Sequence, residues 1–194
     1  MTERDRTGPR VNATSDNTLM EQVRDGEVAK LAILFERYHV MLYNFFLRLT
    51  GRSGPSEDLV QEVFVRILKY RSTYRSESKF TVWMFQIARN AHADLLRRRK
   101  PEVPIDDQFE EPAGAEPAPA DRLEAEVDAD LLRRALDRLP VRKREILLLS
   151  RYEDMKYKDI AELLGCSIET IKTSVHRAIR DLRKIYLELQ GGVS

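Results

Sequence analysis

The sequence predicts an all-α protein made of two small helical modules joined by a flexible, acidic and Pro-rich linker. Apolar residues recur at steps of three and four over most of the chain, which is the period of an amphipathic helix. No stretch alternates apolar and polar residues as a half-buried strand does. The composition also changes abruptly at residue 101. These observations divide the chain into a disordered tail (1–16), a first module (17–100), a linker (101–120) and a second module (121–190).

Length and charge set the outer limits on function. The 194 residues allow one large domain or two small ones, and 33 basic residues nearly cancel 32 acidic residues to leave a net charge of +1. No apolar run approaches the roughly 18 residues of a membrane span, and the polar N-terminus lacks the apolar core of a signal peptide. The sequence therefore predicts a cytoplasmic protein with no membrane insertion.

Four helices are predicted in the first module. A capping box at residues 18–21 (Thr-Leu-Met-Glu) starts a short helix. A long helix follows over residues 28–50, with a predicted core stripe of Leu31, Phe35, Tyr38, Leu42, Phe45 and Leu49. A third begins at Pro55, since proline is tolerated in a first helical turn. A polar loop over residues 71–78 leads to a fourth helix over residues 80–99, which ends in basic residues.

The linker is acidic and rich in proline. Five of the eight prolines lie between residues 101 and 119, and residues 102–130 carry eleven acidic residues against one basic residue, a net charge of −10. Such a segment cannot bury enough apolar surface to offset the entropy lost on ordering it, so it is predicted to be flexible. Helices resume around Asp121 and again over residues 141–151.

Residues 157–184 have the pattern of a helix-turn-helix. Two apolar stripes flank a corner, in which Gly165 ends the first helix with a positive φ and Ser167 caps the second. The outward face of the second helix is polar, and residues 172–184 carry five Lys or Arg against one Asp, a net charge of +4. A helix with one dry and one basic face fits the DNA major groove. The alternative is an ordinary solvated helix packed in a bundle.

The sequence offers little for catalysis or metal binding. The three histidines, His39, His92 and His176, lie far apart on different predicted helices, and there is no Gly-rich phosphate loop. The acidic clusters show no paired-carboxylate pattern. We therefore predict no catalytic residues, no metal site and no cofactor, and an enzyme is the weakest class of function.

Two stretches together resemble a known family. The first, which is similar to conserved region two of bacterial sigma factors, reads DLVQEVFVRILKY and then TYRSESKFTVWMFQIARNAHADLLRRR. The second, which is similar to region four, reads LPVRKREILLLSRYEDMKYKDIAELLGCSIETIKTSVHRAIRDLR. Their order and the linker between them resemble the extracytoplasmic-function (ECF, group 4) subfamily of the sigma-70 family. The helix-turn-helix alone is a weak signal, since many regulators share it.

The resemblance implies a sigma factor, which binds core RNA polymerase, directs it to promoters and helps to melt the −10 element. Asp58, Gln61 and Glu62 match the surface that docks on the clamp helices of the polymerase β′ subunit, and their spacing places them on one helix face. The resemblance also implies contact with the polymerase β flap, with promoter DNA and with an anti-sigma factor.

The resemblance also assigns DNA contacts in both modules. In the first module, two aromatic rings line a pocket for an unstacked base, amides lie beside that base, and basic side chains track phosphates. The rings are Tyr74 and Phe80, the amides are Asn90 and Gln86, and the basic side chains are Arg89 and Arg97. In the second module, the contacts to the −35 element come from Ser167, Thr170, Lys172, Thr173, His176, Arg177 and Arg180.

The chain departs from many relatives at one DNA-facing position. Where they carry Lys-Ser-Arg, it has Lys172, Thr173 and Ser174, and so it lacks a bidentate guanine reader there. A −35 sequence therefore cannot be transferred from those relatives.

The main alternative is a stand-alone helix-turn-helix regulator that binds duplex DNA without polymerase. It leaves the DLVQEVF surface and the polar loop over residues 71–78 without a role. A nucleic-acid enzyme ranks third, because the residues for its chemistry are missing.

Overall fold

The protein is described by a computed structural model over residues 14–98, 120–151 and 155–191, with side chains from residue 129 onward in the second module. Eight α-helices lie in these ranges: α1 (Asp16–Arg24), α2 (Leu31–Thr50), α3 (Ser53–Tyr70), α4 (Phe80–Arg98), α5 (Ala120–Arg138), α6 (Val141–Arg151), α7 (Tyr157–Leu164) and α8 (Ile168–Gly191). No strand occurs among the described residues, and the predicted all-α class is confirmed. Most of the predicted tail and linker lies outside them.

The first module is a bundle in which α2 packs on α3 and α3 packs on α4. Its core contains fully buried side chains from each helix, among them Phe45, Val63 and Met84. Burying a side chain of this size contributes about 1.5–3 kcal/mol, so the bundle depends on these stripes. The predicted α2 stripe is wrong at Phe35, which is 36% exposed and lies against the rings of His39 and Phe64.

The N-cap of α1 differs from the predicted one. The helix begins at Asp16, and Ser15 is its N-cap, since the Ser15 hydroxyl accepts a hydrogen bond from the backbone N–H of Thr18 at 3.1 Å. The predicted capping box, with Thr18 as the cap, was therefore wrong by three residues. Ser15 and Thr18 both carry hydroxyl groups and lie three positions apart. The Thr18 hydroxyl does not cap the helix but forms a hydrogen bond with the Ser15 hydroxyl at 2.8 Å.

The second module contains the predicted helix-turn-helix. Gly165 ends α7 in the left-handed region with φ of 62°. The backbone N–H of Cys166 donates to the Ala161 carbonyl at 3.0 Å, which closes the corner. The Ser167 hydroxyl then accepts from the backbone N–H of Thr170 at 3.1 Å and caps α8. The corner chemistry that the sequence predicted is confirmed.

The two modules pack against each other. The second-module helices α6 and α7 lie against α2 and α4 of the first module, respectively, and one apolar core runs through both modules. Among the described residues, no helix is both long and apolar enough to cross a membrane.

The corner glycine gives a test of this part of the fold. A side chain at Gly165 meets no atom within 4 Å, so the cost of Gly165→Ala comes from the left-handed backbone alone. We expect the free energy of unfolding to fall by about 1–2 kcal/mol. Gly54→Ala is the matched control, because that glycine has equal space and no positive φ. If thermal unfolding is unchanged in both variants, the left-handed corner is not the constraint.

Candidate polymerase-binding and nucleic-acid interfaces

The outward face of α8 carries the predicted −35 contacts. The stripe Ile171, Val175 and Ala178 is buried against the rest of the second module. All seven predicted contact residues are exposed on the helix and its cap: Ser167, Thr170, Lys172, Thr173, His176, Arg177 and Arg180. The structure therefore brings this set together on one surface.

Asp181, an acidic neighbour of the α8 surface, is paired within the second module. Asp181 accepts a hydrogen bond from Lys143 of α6, and this bond lowers the pKa of the Asp181 carboxyl. The Asp181 charge is thus paired with a lysine of the module itself. Lys172 lies 3.8 Å from Glu169 and Arg180 lies 3.6 Å from Asp181, yet the surface keeps an excess of basic side chains, as a phosphate-binding surface requires.

The predicted polymerase-docking residues lie on α3, beside a groove of about 230 Å³ between α3 and α4. Asp58 and Gln61 are exposed. Glu62 is paired, since its carboxylate accepts from Arg66 Nε at 2.6 Å, and Arg66 also donates to Asp94 of α4 at 2.8 Å. Glu62 therefore helps to hold α3 on α4 as well as facing the groove.

The two predicted pocket aromatics are inside the first module. Tyr74 is 2% exposed and Phe80 is 1% exposed. The Tyr74 ring packs against Trp83 at 5.2 Å between centroids, and the Phe80 ring packs against Tyr38 at 5.4 Å. Burial also raises the pKa of Tyr74 to about 12. Both rings are buried in this arrangement, since Tyr74 packs on Trp83 of α4 and Phe80 packs on Tyr38 of α2, and their contact with a base stays a prediction.

The remaining −10 residues are on α4, and only some face outward. Asn90 is exposed, and Gln86 donates a hydrogen bond to its side-chain oxygen at 3.3 Å. Arg97 is exposed and pairs with Asp94. Arg89 instead points to the second module, where its Nε lies 2.7 Å from a Glu145 carboxylate oxygen.

Sequence reasoning missed the residues that join separate parts of the chain. Lys79 pairs with Asp159 at 2.6 Å, 80 positions away, and Asn17 of α1 contacts the backbone at the start of α4. No local pattern signals such contacts, since each partner reads as an ordinary polar residue on its own element. Among the described residues, no group of His, Cys, Asp or Glu side chains is placed to hold a metal ion.

Comparisons with known proteins match both modules. The Sigma-70 region 2 family matches residues 34–102, and the Sigma-70, region 4 family matches residues 129–182. The chain is 31% identical over 166 residues to the ECF RNA polymerase sigma factor SigL of Mycobacterium tuberculosis, covering 84% of this chain and 92% of SigL.

Two solved structures are also similar. One is CnrH in complex with the cytosolic domain of CnrY, with 25% identity and a TM-score of 0.66, covering 89% of this chain and 97% of CnrH. The other is RpoE from Bartonella quintana in complex with the anti-sigma factor NepR, with 25% identity and a TM-score of 0.64. That match covers 79% of this chain and 94% of RpoE.

A match to region 2 that is followed along the chain by a match to region 4 defines a transcription initiation factor of the sigma-70 family. Within it, the chain belongs to the ECF sigma factors, as its identity to SigL over most of both chains shows. It is a sigma factor that binds core RNA polymerase and directs it to promoters. The alternative of a stand-alone regulator is wrong, because the first module has a sigma-family match of its own. The family consists of non-catalytic initiation factors.

The α3 surface gives a prediction about polymerase binding. Gln61 is exposed, whereas Glu62 supports the packing of α3 on α4, so Gln61→Lys is the cleaner probe of docking. We expect it to weaken core-polymerase binding by about tenfold, as an added unpaired charge in an interface does, while thermal unfolding stays unchanged. Glu36→Gln makes the same change in net charge at an exposed position of α2. Equal co-purification of both variants with core polymerase would remove Gln61 from the interface.

Proposed function

We propose that the two modules divide promoter recognition between them. The first module (17–100) binds core polymerase through Asp58, Gln61 and Glu62 and opens the −10 element, and the second module (121–190) binds the −35 element. The observation that carries this proposal is the α8 surface, where seven polar or basic side chains project opposite a buried stripe. In this account the protein acts in the cytoplasm, where core polymerase works, and by binding rather than by catalysis.

The α8 surface suits duplex DNA. A capped helix with a basic face enters the major groove by its N-terminal part, while Lys and Arg contact phosphates on either side. Lys172, His176 and Arg177 lie on the first three turns of α8, where base edges are within reach. Ser174 stands where many relatives carry an arginine, so we propose a −35 preference that does not rest on a bidentate guanine contact at that position.

The α4 surface suits a single strand. The Asn90 amide has both donors and an acceptor, and the neighbouring Gln86 adds a second amide one turn earlier. We propose that these two amides read an unstacked base, with Arg97 and Arg89 on the phosphates. Tyr74 and Phe80 support the loop from inside, because both rings are buried.

We also propose that an anti-sigma factor controls the protein. Support comes from the similar structure of RpoE, which is in complex with the anti-sigma factor NepR. A linker over residues 101–120 would let an inhibitor separate or clamp the two modules. The test is a stable complex with a protein that, when deleted, raises transcription from the promoters of this sigma factor. Activity governed by expression level alone would contradict the proposal.

The division of labour predicts that substitutions in the two modules fail at different steps. Arg177→Ala is expected to weaken binding to duplex promoter by about 1–3 kcal/mol if the side chain contacts a base, and by less if it contacts phosphate. Asn90→Ala is expected to leave duplex binding nearly intact and to impair opening, because the contact to the extruded base is lost. A pre-melted −10 template should restore only part of the activity of Asn90→Ala.

Holoenzyme binding to duplex and bubble templates, with permanganate footprinting of open strands, measures both steps. Normal opening by Asn90→Ala would contradict the assignment of α4. Loss of opening without loss of binding in Arg177→Ala would contradict the assignment of α8.

A further inference from the structure

We infer that Asn17, on α1, is a positioning residue for the loop that precedes α4. Its side-chain oxygen accepts a hydrogen bond from the backbone N–H of Phe80 at 2.8 Å. Its amide nitrogen donates to the carbonyl oxygens of Ser76 and Ser78, each at 3.4 Å. One side chain thus joins the end of the loop to the first turn of α4. The inference rests on the proposed function, which assigns −10 opening to this region.

Asparagine is suited to this position because it has both donors and an acceptor. The first N–H groups of a helix have no partner within the helix, and a side-chain oxygen usually satisfies one of them. Here that oxygen comes from Asn17, 63 positions away, and not from the residue that precedes α4. An aspartate keeps this acceptor but loses both donors to the loop, and an alanine loses all three contacts.

The helix that carries Asn17 is firmly held. Met20 and Val23 of α1 are fully buried in the core of the first module. The neighbouring Asp16 accepts hydrogen bonds from the Tyr38 hydroxyl and from Arg37, both on α2 and each at 2.5 Å. The Asn17 amide therefore projects from a helix that is fixed in the core, and motion of α1 does not disorder the loop.

The part of the loop next to α4, residues 75–78, is less tightly bonded than residues 71–74, where the backbone N–H of Tyr74 donates to the Arg71 carbonyl at 3.1 Å. Its internal hydrogen bonds include one from the backbone N–H of Ser78 to Arg75 at 3.4 Å and one from the Tyr74 hydroxyl to Ser78 at 3.5 Å. Both are at the long end of the usual range. A loop that is ordered beforehand costs less to fix when it captures a base. Asn17 supplies that order before DNA arrives.

The test compares Asn17→Ala, Asn17→Asp and a control on the same helix. Ser15→Ala removes the N-cap of α1 but no contact to the loop, so it controls for destabilisation of the helix. With core polymerase and a promoter that the holoenzyme transcribes, we expect Asn17→Ala to slow opening about five- to tenfold. Asn17→Asp should also be slow, although α4 keeps its cap, and Ser15→Ala should open at the wild-type rate. On a pre-melted template, the deficits of Asn17→Ala and Asn17→Asp should shrink but not vanish, because the loop must still be ordered when it binds the extruded base.

Each outcome decides a separate point. If Asn17→Ala and Ser15→Ala are equally slow, the effect is general destabilisation and the inference is wrong. If Asn17→Asp opens DNA like the wild type, the bonds to the loop carbonyls do not position it, which also overturns the inference. If the wild-type holoenzyme itself does not open the promoter, the proposed function fails, and that result is distinct from both others.

A second inference rests on the contacts between the two modules. We propose that acidic residues of the second module occupy basic residues of the first module where DNA phosphates bind, so that closure and single-strand binding compete. Glu145 lies 2.7 Å from Arg89, and Asp159 lies 2.6 Å from Lys79. Ser78 of the loop also donates to Glu162 at 2.6 Å. This inference also rests on the proposed function, which places Arg89 on the DNA.

The carboxylates are good substitutes for phosphate. Both groups are anionic oxygen acceptors that form charge-assisted hydrogen bonds with guanidinium and ammonium groups. Glu145 and Asp159 are 9% and 7% exposed, so their charges are removed from water and directed at the first module. Arg89 has a further contact to the Leu163 carbonyl at 3.5 Å. Two nitrogens of the Arg89 guanidinium are thus bound to the second module, and a DNA phosphate would have to displace these partners.

The ion pairs themselves contribute little net free energy to the closed arrangement. Desolvating paired charges costs free energy that their attraction repays only in part. The nearby Asp137 and Arg144 show this cost, because burial raises the pKa of the carboxyl and lowers the pKa of the guanidinium. A small net stabilisation suits a contact that must yield when the modules bind polymerase and promoter.

The test uses Glu145→Gln, with Asp130→Asn as a control that removes one negative charge from an ion pair inside α5. For the free protein, we expect Glu145→Gln to increase the radius of gyration in small-angle X-ray scattering. We also expect it to bind oligo(dT) of about 12 nucleotides at least threefold more tightly than Asp130→Asn, because more molecules are open. Adding Arg89→Ala to Glu145→Gln should abolish the gain in affinity.

The outcomes separate closure from competition. Equal size and equal affinity for Glu145→Gln and Asp130→Asn would overturn the inference. Expansion without a gain in affinity would show that the contact holds the modules together but does not compete with DNA, which also overturns it. Neither readout requires promoter opening, so these results do not depend on whether the holoenzyme melts the −10 element.

Discussion

The Arg144 guanidinium joins the two modules at the point where three helices, α2, α5 and α6, meet. It is 8% exposed and donates to the Leu49 carbonyl at the end of α2 at 3.0 Å. It also donates to the Asp137 carboxylate at 3.0 Å and to the Leu139 carbonyl at the corner between α5 and α6. The last carbonyls of a helix lack hydrogen-bond partners and carry partial negative charge. A buried cation among them donates hydrogen bonds to these carbonyls and balances their charge. The orientation of α6, and of the helices packed on it, depends on this contact.

The basic side chains of the protein lie in two different environments. At the contact between the modules, Arg89, Lys79 and Arg144 are paired with carboxylates or carbonyls of the other module. Outside, the basic side chains of α8 are exposed, and their acidic neighbour Asp181 is paired with Lys143. One basic surface is thus exposed on α8, while basic residues at the contact between the modules are paired. Because ion pairs between modules contribute little net free energy, they suit a contact that opens.

Much of the fold could be predicted from local patterns. Helix periodicity predicts the all-α class, and the corner at Gly165 and Ser167 was right because its chemistry is contained within a few consecutive residues. The errors have physical reasons. Two hydroxyl residues three positions apart offered two possible caps for α1, and the pattern could not choose between Ser15 and Thr18. Periodicity likewise places Phe35 on the inner face of α2, but it cannot tell where the neighbouring helix α3 stops covering that face.

The sequence by itself determined which elements form, the basic character of the α8 face and the membership of the chain in the sigma family, because these depend on residue type and short spacing. Only the tertiary structure decided which polar groups are available. The Phe80 ring is buried against Tyr38 of α2, and Arg89 is paired with a glutamate 56 positions away. Asn17 satisfies the first turn of α4 from 63 positions away. Such contacts depend on how helices dock, and docking is set by the sum of many weak packing terms that no local pattern contains.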